Sequence, residues 1–478
     1  MVFSSITFLF FFLPSVLLLY LLAGTNGRNL LLLMASLFFY AWGEGVYLVL
    51  MLVSIGINYT GGRIIATSGT VLRKKWWLAT TVILNLLLLG YFKYATFVAE
   101  NINSVLSSYD CAIDLAPIRL PIGISFFTFQ ALSYIIDVYR EKVTPQKSLL
   151  RLALYISLFP QLIAGPIVRY QDIAEQISVR RMAVATLAAG IQRFIFGLSK
   201  KILIANPMAA VADRIFSLPE NELTTSLAWL GAVCYTVQIY FDFSGYSDMA
   251  IGLGRMFGFH FLENFHYPYV SKSIREFWRR WHMSLSSWFR DYVYIPLGGN
   301  RKGRIRTGVN LITVFFLCGL WHGAAWTFIV WGLYHGFFLL LERTAVGSLL
   351  EKLWVPLRIA MTLLIIILGW VIFRSETLPQ ALTYIGIMFG SQSDQVAAIP
   401  ELLNKKEQFE LCCGLFFSLP VLSWLREKRI KERISTRYFH AVDAAGNLCK
   451  LAVMVLLLYF SVISLAAGVY NPFIYFRF

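Results

Sequence analysis

The chain has 478 residues, of which 58% are hydrophobic and only 14% are charged. Soluble domains carry about 25% charged residues, so this composition excludes an ordinary soluble enzyme and indicates a protein that crosses a membrane repeatedly. The formal net charge of +16 would suggest nucleic-acid binding in a soluble protein, but the basic residues here occupy short connections between apolar runs, as expected of cytoplasmic loops.

Apolar runs of roughly 18 residues or more recur about a dozen times along the chain. They predict an all-α, polytopic membrane protein with roughly 11–13 transmembrane or re-entrant helices, forming one integral membrane domain over 1–478. The first run, 6–24, has no basic residue before it and no clear cleavage site, which favours a retained span over a signal peptide. The run 29–60 is long enough for two spans, with the division expected at 43–45.

The run 76–92 follows a basic stretch that belongs in the cytoplasm, and it precedes 97–115, which is poor in charge and should lie outside. Farther along, Pro160 and Pro166 interrupt another apolar run that has basic residues on both sides. This pattern predicts a re-entrant segment over 159–169. Such a segment survives at membrane depth only where protein or a water-filled cavity surrounds it.

Acidic residues follow in the motif YFDFSGYSDMAIGLGRMFG, where Asp242 and Asp248 belong to one predicted helix. Because buried charges need partners, we favour structural pairing with Arg255 or Arg275. Orientation of a substrate by Asp242 is the alternative.

The segment 267–307 is too polar to span a membrane but is dense in aromatic residues. Its large apolar residues recur at helical spacing and predict one amphipathic helix, which lies on the cytoplasmic membrane surface or tucks into the protein. These residues are Phe277, Trp281, Leu285, Trp288 and Tyr292. A turn at 297–300 should end the helix. The basic cluster that begins with Arg301 and Lys302 either contacts anionic lipid or recruits a phosphate-bearing donor.

The run 307–341 contains no Asp, Glu, Lys or Arg, and it forms either one long span or two short ones. His322 stands near its middle, among Trp321, Trp326 and Phe316. An ionisable residue inside a membrane is costly enough that function is the first interpretation, and a packing histidine is the alternative. Apolar surroundings favour the neutral imidazole, which is the form that a general base needs.

The other histidines are less informative by themselves. The local context of His282, at the edge of the predicted aromatic helix, leaves an interfacial role and a functional role equally open. His335 is predicted to be a helix-end residue and not a second catalytic group. No metal-ligand spacing such as HExxH is present, and no two of the six cysteines form CxxC, so neither a metal site nor a disulfide framework is predicted.

Taken together, several long motifs resemble the membrane-bound O-acyltransferase (MBOAT) family. The resemblance is carried by FWRRWHMSLSSWFRDYVYIPLGGNRKG, by LWHGAAWTFIVWGLYHG, and by the 40 residues that separate His282 from His322. It extends to PIGISFFTFQALSYIIDVYR, to YFDFSGYSDMAIGLGRMFGF and to the C-terminal NPFIYFRF. Within the family, the chain is most similar to the bacterial branch that acetylates exopolysaccharides such as alginate.

The resemblance implies a ring of tilted helices around a central tunnel, in the bacterial inner membrane, with the acyl donor entering from the cytoplasm and the acceptor from outside. His322 matches the family's membrane histidine, and His282 matches its second polar position, so both are expected to be catalytic. The implied donor is acetyl-CoA, used as a substrate with no bound cofactor, and the implied partners are periplasmic proteins that modify the polymer. The residues expected to bind substrate or donor are Arg279, Trp281, Trp321, Asp242, Arg301 and Lys302.

Three other functions remain open at this point. Transfer of D-alanyl or another acyl group to a cell-wall polymer is the task of a sister branch. A transporter or flippase would also suit a cavity with a cationic cytoplasmic rim, but it predicts paired repeats with interrupted helices, and we find none in the sequence. A scaffold for a polysaccharide machine would leave His322 replaceable.

Overall fold

The computed structural model describes residues 1–24, 27–109, 112–180, 182–390, 403–421, 439–468 and 470–472. Within these ranges the chain is helical and contains no β-strand, which confirms the all-α prediction. The helices are α1 (Leu13–Leu22), α2 (Gly27–Glu44), α3 (Leu48–Thr67), α4 (Val71–Leu106), α5 (Ile124–Tyr139), α6 (Leu149–Ser157), α7 (Phe159–Leu162), α8 (Tyr170–Ser178), α9 (Val184–Ser199), α10 (Asn206–Phe216), α11 (Thr225–Met256), α12 (Ile274–Arg280), α13 (Met283–Phe289), α14 (Gly303–His322), α15 (Trp326–Leu341), α16 (Ala345–Leu350), α17 (Val355–Arg374), α18 (Leu378–Met388), α19 (Lys405–Phe417) and α20 (Phe439–Ala466). Short π-helical turns at Phe8–Phe12, Lys200–Ala205 and Arg290–Tyr294 adjoin α1, α9 and α13.

Six helical stretches of the described chain are long and apolar enough to cross a membrane. They are Gly27–Thr67, Val71–Leu106, Val184–Phe216, Gly303–His322, Val355–Arg374 and Gly446–Ala466, and three shorter apolar stretches accompany them at Phe8–Leu22, Ile124–Tyr139 and Trp326–Leu341. Large apolar side chains on these helices remain exposed, for example Leu22 at 75% and Trp76 at 68%. Such an apolar outer surface needs lipid around it. The chain is therefore a multi-pass membrane protein.

Two apolar runs divide into separate helices as the sequence allowed, and one helix ends later than its apolar run. The run 29–60 divides where expected, because α2 ends at Glu44 and α3 begins at Leu48. The run 307–341 forms two helices, α14 and α15. Helix α4, however, continues to Leu106, so the first part of 97–115 is helical and not a loop. Its apolar side chains keep a spacing of three to four residues through Val98, Ile102 and Val105, which continues the helix past its polar neighbours.

The interrupted segment 159–169 breaks as predicted and is enclosed by protein. Helix α7 is a single turn, no helix covers 163–169, and every residue from 158 to 169 is buried. Side chains of other elements satisfy its backbone: the Phe159 amide donates to Ser36 Oγ (3.1 Å) and the Ile167 amide to Ser284 Oγ (3.0 Å). Backbone that leaves the helix at membrane depth needs such partners.

An ion pair joins this segment to the predicted cytoplasmic segment 267–307. Arg169 Nη1 lies 2.7 Å from Asp291 Oδ2, and Arg290 contacts the other carboxylate oxygen at 2.7 Å. Burial by itself would raise the pKa of the Asp291 carboxyl, but the hydrogen bonds from Arg290 and Arg169 outweigh it and hold this pKa below its usual value. The pair therefore stabilises the fold at neutral pH and is lost only when acid protonates the carboxylate.

Helix α11 lies at the centre of the fold and is buried along almost its whole length. Helix α9 packs directly on it because glycines let the two backbones approach: a Cβ on Gly197 would lie 2.5 Å from the carbonyl oxygen of Gly245. Small residues serve this purpose in membrane helix pairs, where the surrounding lipid is as apolar as the interface.

The Asp242 side chain of α11 forms a buried ion pair, but the predicted partners are wrong. Lys201 Nζ lies 2.8 Å from Asp242 Oδ1, and both side chains are at most 2% exposed. Asp248 pairs with Arg193 (2.6 Å) and with Lys200 (2.6 Å). Arg255 and Arg275 were expected because they are near in the sequence, whereas the actual cations come from the packed neighbour α9 and its π-helical turn.

The described part of the C-terminal tail packs against the same region. Lys201 Nζ donates to the Pro472 carbonyl, and Tyr470 Oη donates to Asp213 Oδ2 (2.5 Å). Asn471 Nδ2 donates to the carbonyl of Ser4 (3.0 Å), so the tail ties the start of the chain to α9 and α10.

We predict that Lys201→Met destabilises the protein strongly. The change removes the cation that faces the buried Asp242 carboxylate, and loss of one partner of a buried pair costs about 3–5 kcal/mol. The measurement is thermal unfolding of the purified protein in detergent.

Lys200→Met is the matched control, because Lys200 is 32% exposed in its pair with Asp248. Such partly exposed pairs contribute about 1 kcal/mol or less. The double variant Lys201→Met/Asp242→Asn should regain part of the lost stability. Equal unfolding temperatures for the two lysine variants would contradict the prediction.

Candidate active site at the end of helix α14

His322 is the last residue of α14, at the break between two helices. The backbone is extended at Gly323, and α15 begins at Trp326. The two helices then pack closely, since a Cβ on Gly319 would lie 2.3 Å from the carbonyl oxygen of Phe328. The apolar run thus folds back on itself beside the histidine.

Three aromatic rings surround the His322 imidazole edge-on. The ring centroids of Trp321, Trp331 and Phe373 lie 4.9, 5.0 and 5.2 Å away. His322 is 8% exposed. Of the neighbours expected from the sequence, only Trp321 contributes: Trp326 and Phe316 are 54% and 37% exposed. The actual neighbours come from α15 and α17, whose positions no sequence spacing reveals.

The imidazole lines a cavity of about 730 Å³. Polar and charged groups share its wall with His322, namely Tyr40, Glu44, Lys93, Arg119 and Ser125. Part of the wall is the stretch 119–126, which directly follows the part of the chain predicted to lie outside. The cavity therefore approaches His322 from the predicted extracytoplasmic side.

Lys93 is a site residue that the sequence reasoning missed. It lies in α4, is only 8% exposed, and points its ammonium at the end of α14. Nζ donates to the carbonyl oxygen of Trp321, to that of His322 (3.2 Å) and to Ser125 Oγ (3.3 Å). The signal was available, because a lysine inside an apolar helix is itself an indication of function.

His282 lies in the protein interior and not at an interface. It is 1% exposed and adopts a left-handed backbone conformation with φ of 44°. This residue separates α12 from α13, so the single amphipathic helix predicted over 267–307 is wrong. The aromatic stripe is nonetheless buried in the protein, and its fourth member, Trp288, stacks on Phe129 at 3.8 Å. A non-glycine residue in this conformation is strained, and such strain concentrates at functional sites.

A hydrogen-bond network orients the His282 ring. Nδ1 lies 3.1 Å from Asn264 Oδ1, which also accepts from the amide and the hydroxyl of Ser284. Asn264 Nδ2 donates to Ser247 Oγ at 3.0 Å. Since Asn264 Oδ1 is an acceptor, Nδ1 carries the proton in the neutral ring. The buried Nε2, which has no hydrogen-bond partner among the described residues, then presents a lone pair.

The fold brings His282 and His322 to the same indole ring, although 40 residues separate them in the sequence. The Trp321 ring centroid lies 5.9 Å from that of His282 and 4.9 Å from that of His322. The two imidazoles and Trp321 thus form one compact group, in which Trp321 and His322 line the cavity and His282 packs against Trp321.

A second pocket of about 460 Å³ lies between α12–α13 and α14–α15. Arg279 and Arg290 line it together with Cys318, which precedes His322 by one helical turn. Arg279 is exposed. The last turn of α14 therefore contributes to both cavities, Cys318 to this pocket and His322 to the larger one.

The remaining predicted residues have surroundings other than the two cavities. Trp281 is buried in an aromatic cluster, with its ring 4.9 Å from that of Trp370. Asp242 is engaged with Lys201. Arg301 and Lys302 are exposed in the turn before α14, at the opposite end of that helix from His322.

His335 is not the helix-end residue that the sequence suggested. It lies inside α15 with no exposed surface. Its ring contacts Trp331 (5.0 Å) and Trp278 (5.2 Å), and it lines neither pocket. Unlike His282, it makes no ring contact with Trp321 among the described residues, and we interpret it as a packing residue.

Known proteins resemble this chain over most of its length. The model of MBOAT, the membrane-bound O-acyltransferase family, matches residues 69–356. "Probable alginate O-acetylase AlgI" of Pseudomonas putida is 42% identical over 495 residues, covering 100% of both chains. The protein with that same description from Pseudomonas aeruginosa is 48% identical over 401 residues, covering 84% of this chain and 77% of its own.

A relative with another described substrate is the "Peptidoglycan O-acetyltransferase" of Helicobacter pylori. It is 38% identical over 426 residues, covering 82% of this chain and 80% of its own. The family model spans more than half of the chain and contains both histidines. The chain belongs to the membrane-bound O-acyltransferase family and is a multi-pass membrane O-acyltransferase.

Proposed function

We propose that this protein moves an acetyl group from cytoplasmic acetyl-CoA to a hydroxyl acceptor on the outer side of the bacterial inner membrane. The destination is an alginate-like exopolysaccharide, reached through periplasmic partner proteins. The observation that carries the proposal is the position of His322, which lines the larger cavity one helical turn from Cys318, a wall residue of the second pocket. The two Pseudomonas relatives are described as probable alginate O-acetylases, which supports acetyl as the transferred group and alginate as the kind of polymer.

In this reaction His322 acts as the general base. The acceptor oxygen attacks the thioester carbonyl carbon while its proton passes to the imidazole. Collapse of the tetrahedral adduct breaks the carbon–sulfur bond, and the imidazole returns the proton to the departing thiolate. His322 ends neutral, an acetyl ester forms, and the CoA thiol leaves. No covalent acyl-enzyme is needed.

His282 positions a substrate in the proposed mechanism. Its Nδ1 donates to Asn264 Oδ1, so the neutral ring offers a lone pair at Nε2 and no N–H with which to polarise a carbonyl. Nε2 accepts a hydrogen bond from an amide of the donor's pantetheine arm or from the acceptor hydroxyl. The local sequence left open whether His282 has an interfacial or a functional role, and substrate positioning is one specific form of the second.

Basic residues on the predicted cytoplasmic side support a donor that carries phosphate. Arg279 and Arg290 border the second pocket, and Arg301 and Lys302 are exposed in the turn that begins α14. Guanidinium groups bind phosphate through paired hydrogen bonds. Trp281 packs in its aromatic cluster and supports that region of the fold, and Asp242 serves the fold through Lys201.

A second candidate is transfer of an acetyl, D-alanyl or other acyl group to a cell-wall polymer. The identity of 38% with the peptidoglycan O-acetyltransferase favours it. The site chemistry would be the same, because both reactions join an acyl group to a hydroxyl. The polymer that receives label in the experiment below separates the two candidates.

We predict that His322→Gln abolishes transfer from labelled acetyl-CoA in inverted membrane vesicles of a polymer-producing bacterium. Loss of a general base lowers kcat by about 10²–10⁴-fold, while binding of acetyl-CoA should persist because glutamine keeps a polar side chain there. His335→Gln is the matched control, a buried histidine that lines neither pocket. It should retain transfer per folded molecule. Undiminished transfer in His322→Gln would instead support a scaffold or a transporter.

We predict that His282→Gln and Asn264→Leu have the same phenotype, an increase of KM for acetyl-CoA or the acceptor that exceeds the fall in kcat. The expected effect is about tenfold, as for the loss of one hydrogen bond of ~1.4 kcal/mol. Because Asn264 acts through His282, the double variant should be no worse than the worse single variant. Steady-state kinetics measures this, and additive losses would count against the assignment.

A further inference from the structure

We propose that Lys93 is a positioning residue that holds the catalytic histidine in place through the backbone of α14. The inference rests on the proposed function, in which His322 is the base. Lys93 lies in α4, outside the two motifs that contain His282 and His322.

Lys93 binds the two peptide groups that flank the Cα atom of His322. The carbonyl of Trp321 belongs to the peptide before this Cα and the carbonyl of His322 to the peptide after it, and Lys93 Nζ donates to both. Fixing both peptide planes fixes the direction of the Cα–Cβ bond. The rings of Trp321, Trp331 and Phe373 then restrict the side-chain torsions. The ammonium and these aromatic rings thus act together on the position of the imidazole.

The same contacts satisfy the end of a helix that stops inside the protein. The last carbonyl groups of an α-helix have no partner within the helix, and a cation at this end is favoured by the helix dipole. Tyr94 contributes beside Lys93, because its hydroxyl donates to the carbonyl of Leu320 at 2.6 Å. Three successive carbonyls of α14 are therefore held by two neighbouring residues of α4.

The contrast between these two residues favours function over simple capping. Tyr94 shows that a neutral hydroxyl suffices to satisfy a carbonyl at this position in the fold. A buried ammonium is far more costly in a membrane-spanning helix. Lys93 lines the cavity together with Ser125, Trp321 and His322, whereas Tyr94 does not. The costly group thus stands where the geometry of the reacting histidine is set.

The experiment compares Lys93→Met, Lys93→Arg and Tyr94→Phe with wild type and with His322→Gln. The full chain is assayed in inverted vesicles with labelled acetyl-CoA, and kcat and KM are measured. The value of kcat is calculated per folded molecule, and folding is checked by the size-exclusion profile and the unfolding temperature in detergent. A misplacement of ~1 Å costs about a hundredfold in rate. We therefore expect Lys93→Met to lower kcat on that order while KM for acetyl-CoA stays within about threefold.

Lys93→Arg keeps the positive charge and the hydrogen-bond donors, so its kcat should be at least about tenfold higher than that of Lys93→Met. Tyr94→Phe loses only one hydrogen bond from a neutral donor, worth ~1 kcal/mol, so its kcat should stay within about threefold of wild type. If Lys93→Met does not insert, Lys93→Gln gives the same comparison. The proposal is overturned if Lys93→Met, or Lys93→Gln in its place, keeps wild-type kcat per folded molecule. It is also overturned if Lys93→Met and Tyr94→Phe lose activity equally and in parallel with their unfolding temperatures.

Failure of the two proposals is distinguishable. Activity in Lys93→Met with an inactive His322→Gln would reject the role of Lys93 alone. Equal activity of wild type and His322→Gln would reject the proposed function itself, whatever the lysine variants do.

Discussion

The last carbonyl groups of a helix that ends inside a membrane protein need hydrogen-bond donors from the protein, because the hydrocarbon region has no water to donate to them. Helix α14 ends in this way at His322, and α4 supplies the partners from Lys93 and Tyr94. The chain can then turn at Gly323 and return as α15. The cavity, the cage around the imidazole and the close packing of α14 on α15 all depend on this satisfied break.

The second break, at His282, uses a different solution. There the backbone takes a left-handed conformation, and Asn264 satisfies the groups around it by accepting from the Ser284 amide and hydroxyl and from His282 Nδ1. Both histidines therefore stand at helix breaks, each held by residues distant in sequence. A residue at a break can point away from the regular faces of a helix, which suits the proposed roles of both side chains.

The arrangement around α14 also suits the proposed transfer between two compartments. The larger cavity reaches His322 from the predicted outer side, and the Arg279 pocket reaches Cys318 from the other. Cys318 and His322, which line the two cavities, are one turn apart on this helix. In the proposed reaction the acetyl group needs to cross this short distance, while the CoA moiety and the polymer remain on their own sides.

The sequence by itself determined that the chain is an all-helical membrane protein, that 29–60 divides near Glu44, that 159–169 breaks, and that His322 and His282 belong to family motifs. Hydropathy, proline positions and long motifs carry this information locally. Only the tertiary structure decided that Lys201 pairs with Asp242, that Trp331 and Phe373 enclose His322, and that Lys93 holds its backbone. These contacts join helices far apart in the chain, and local periodicity carries no information about which faces will meet. The predicted helix over 267–307 was wrong for the same reason, since Asn264 and Ser284 stabilise the left-handed backbone at His282 through contacts that helical spacing alone does not reveal.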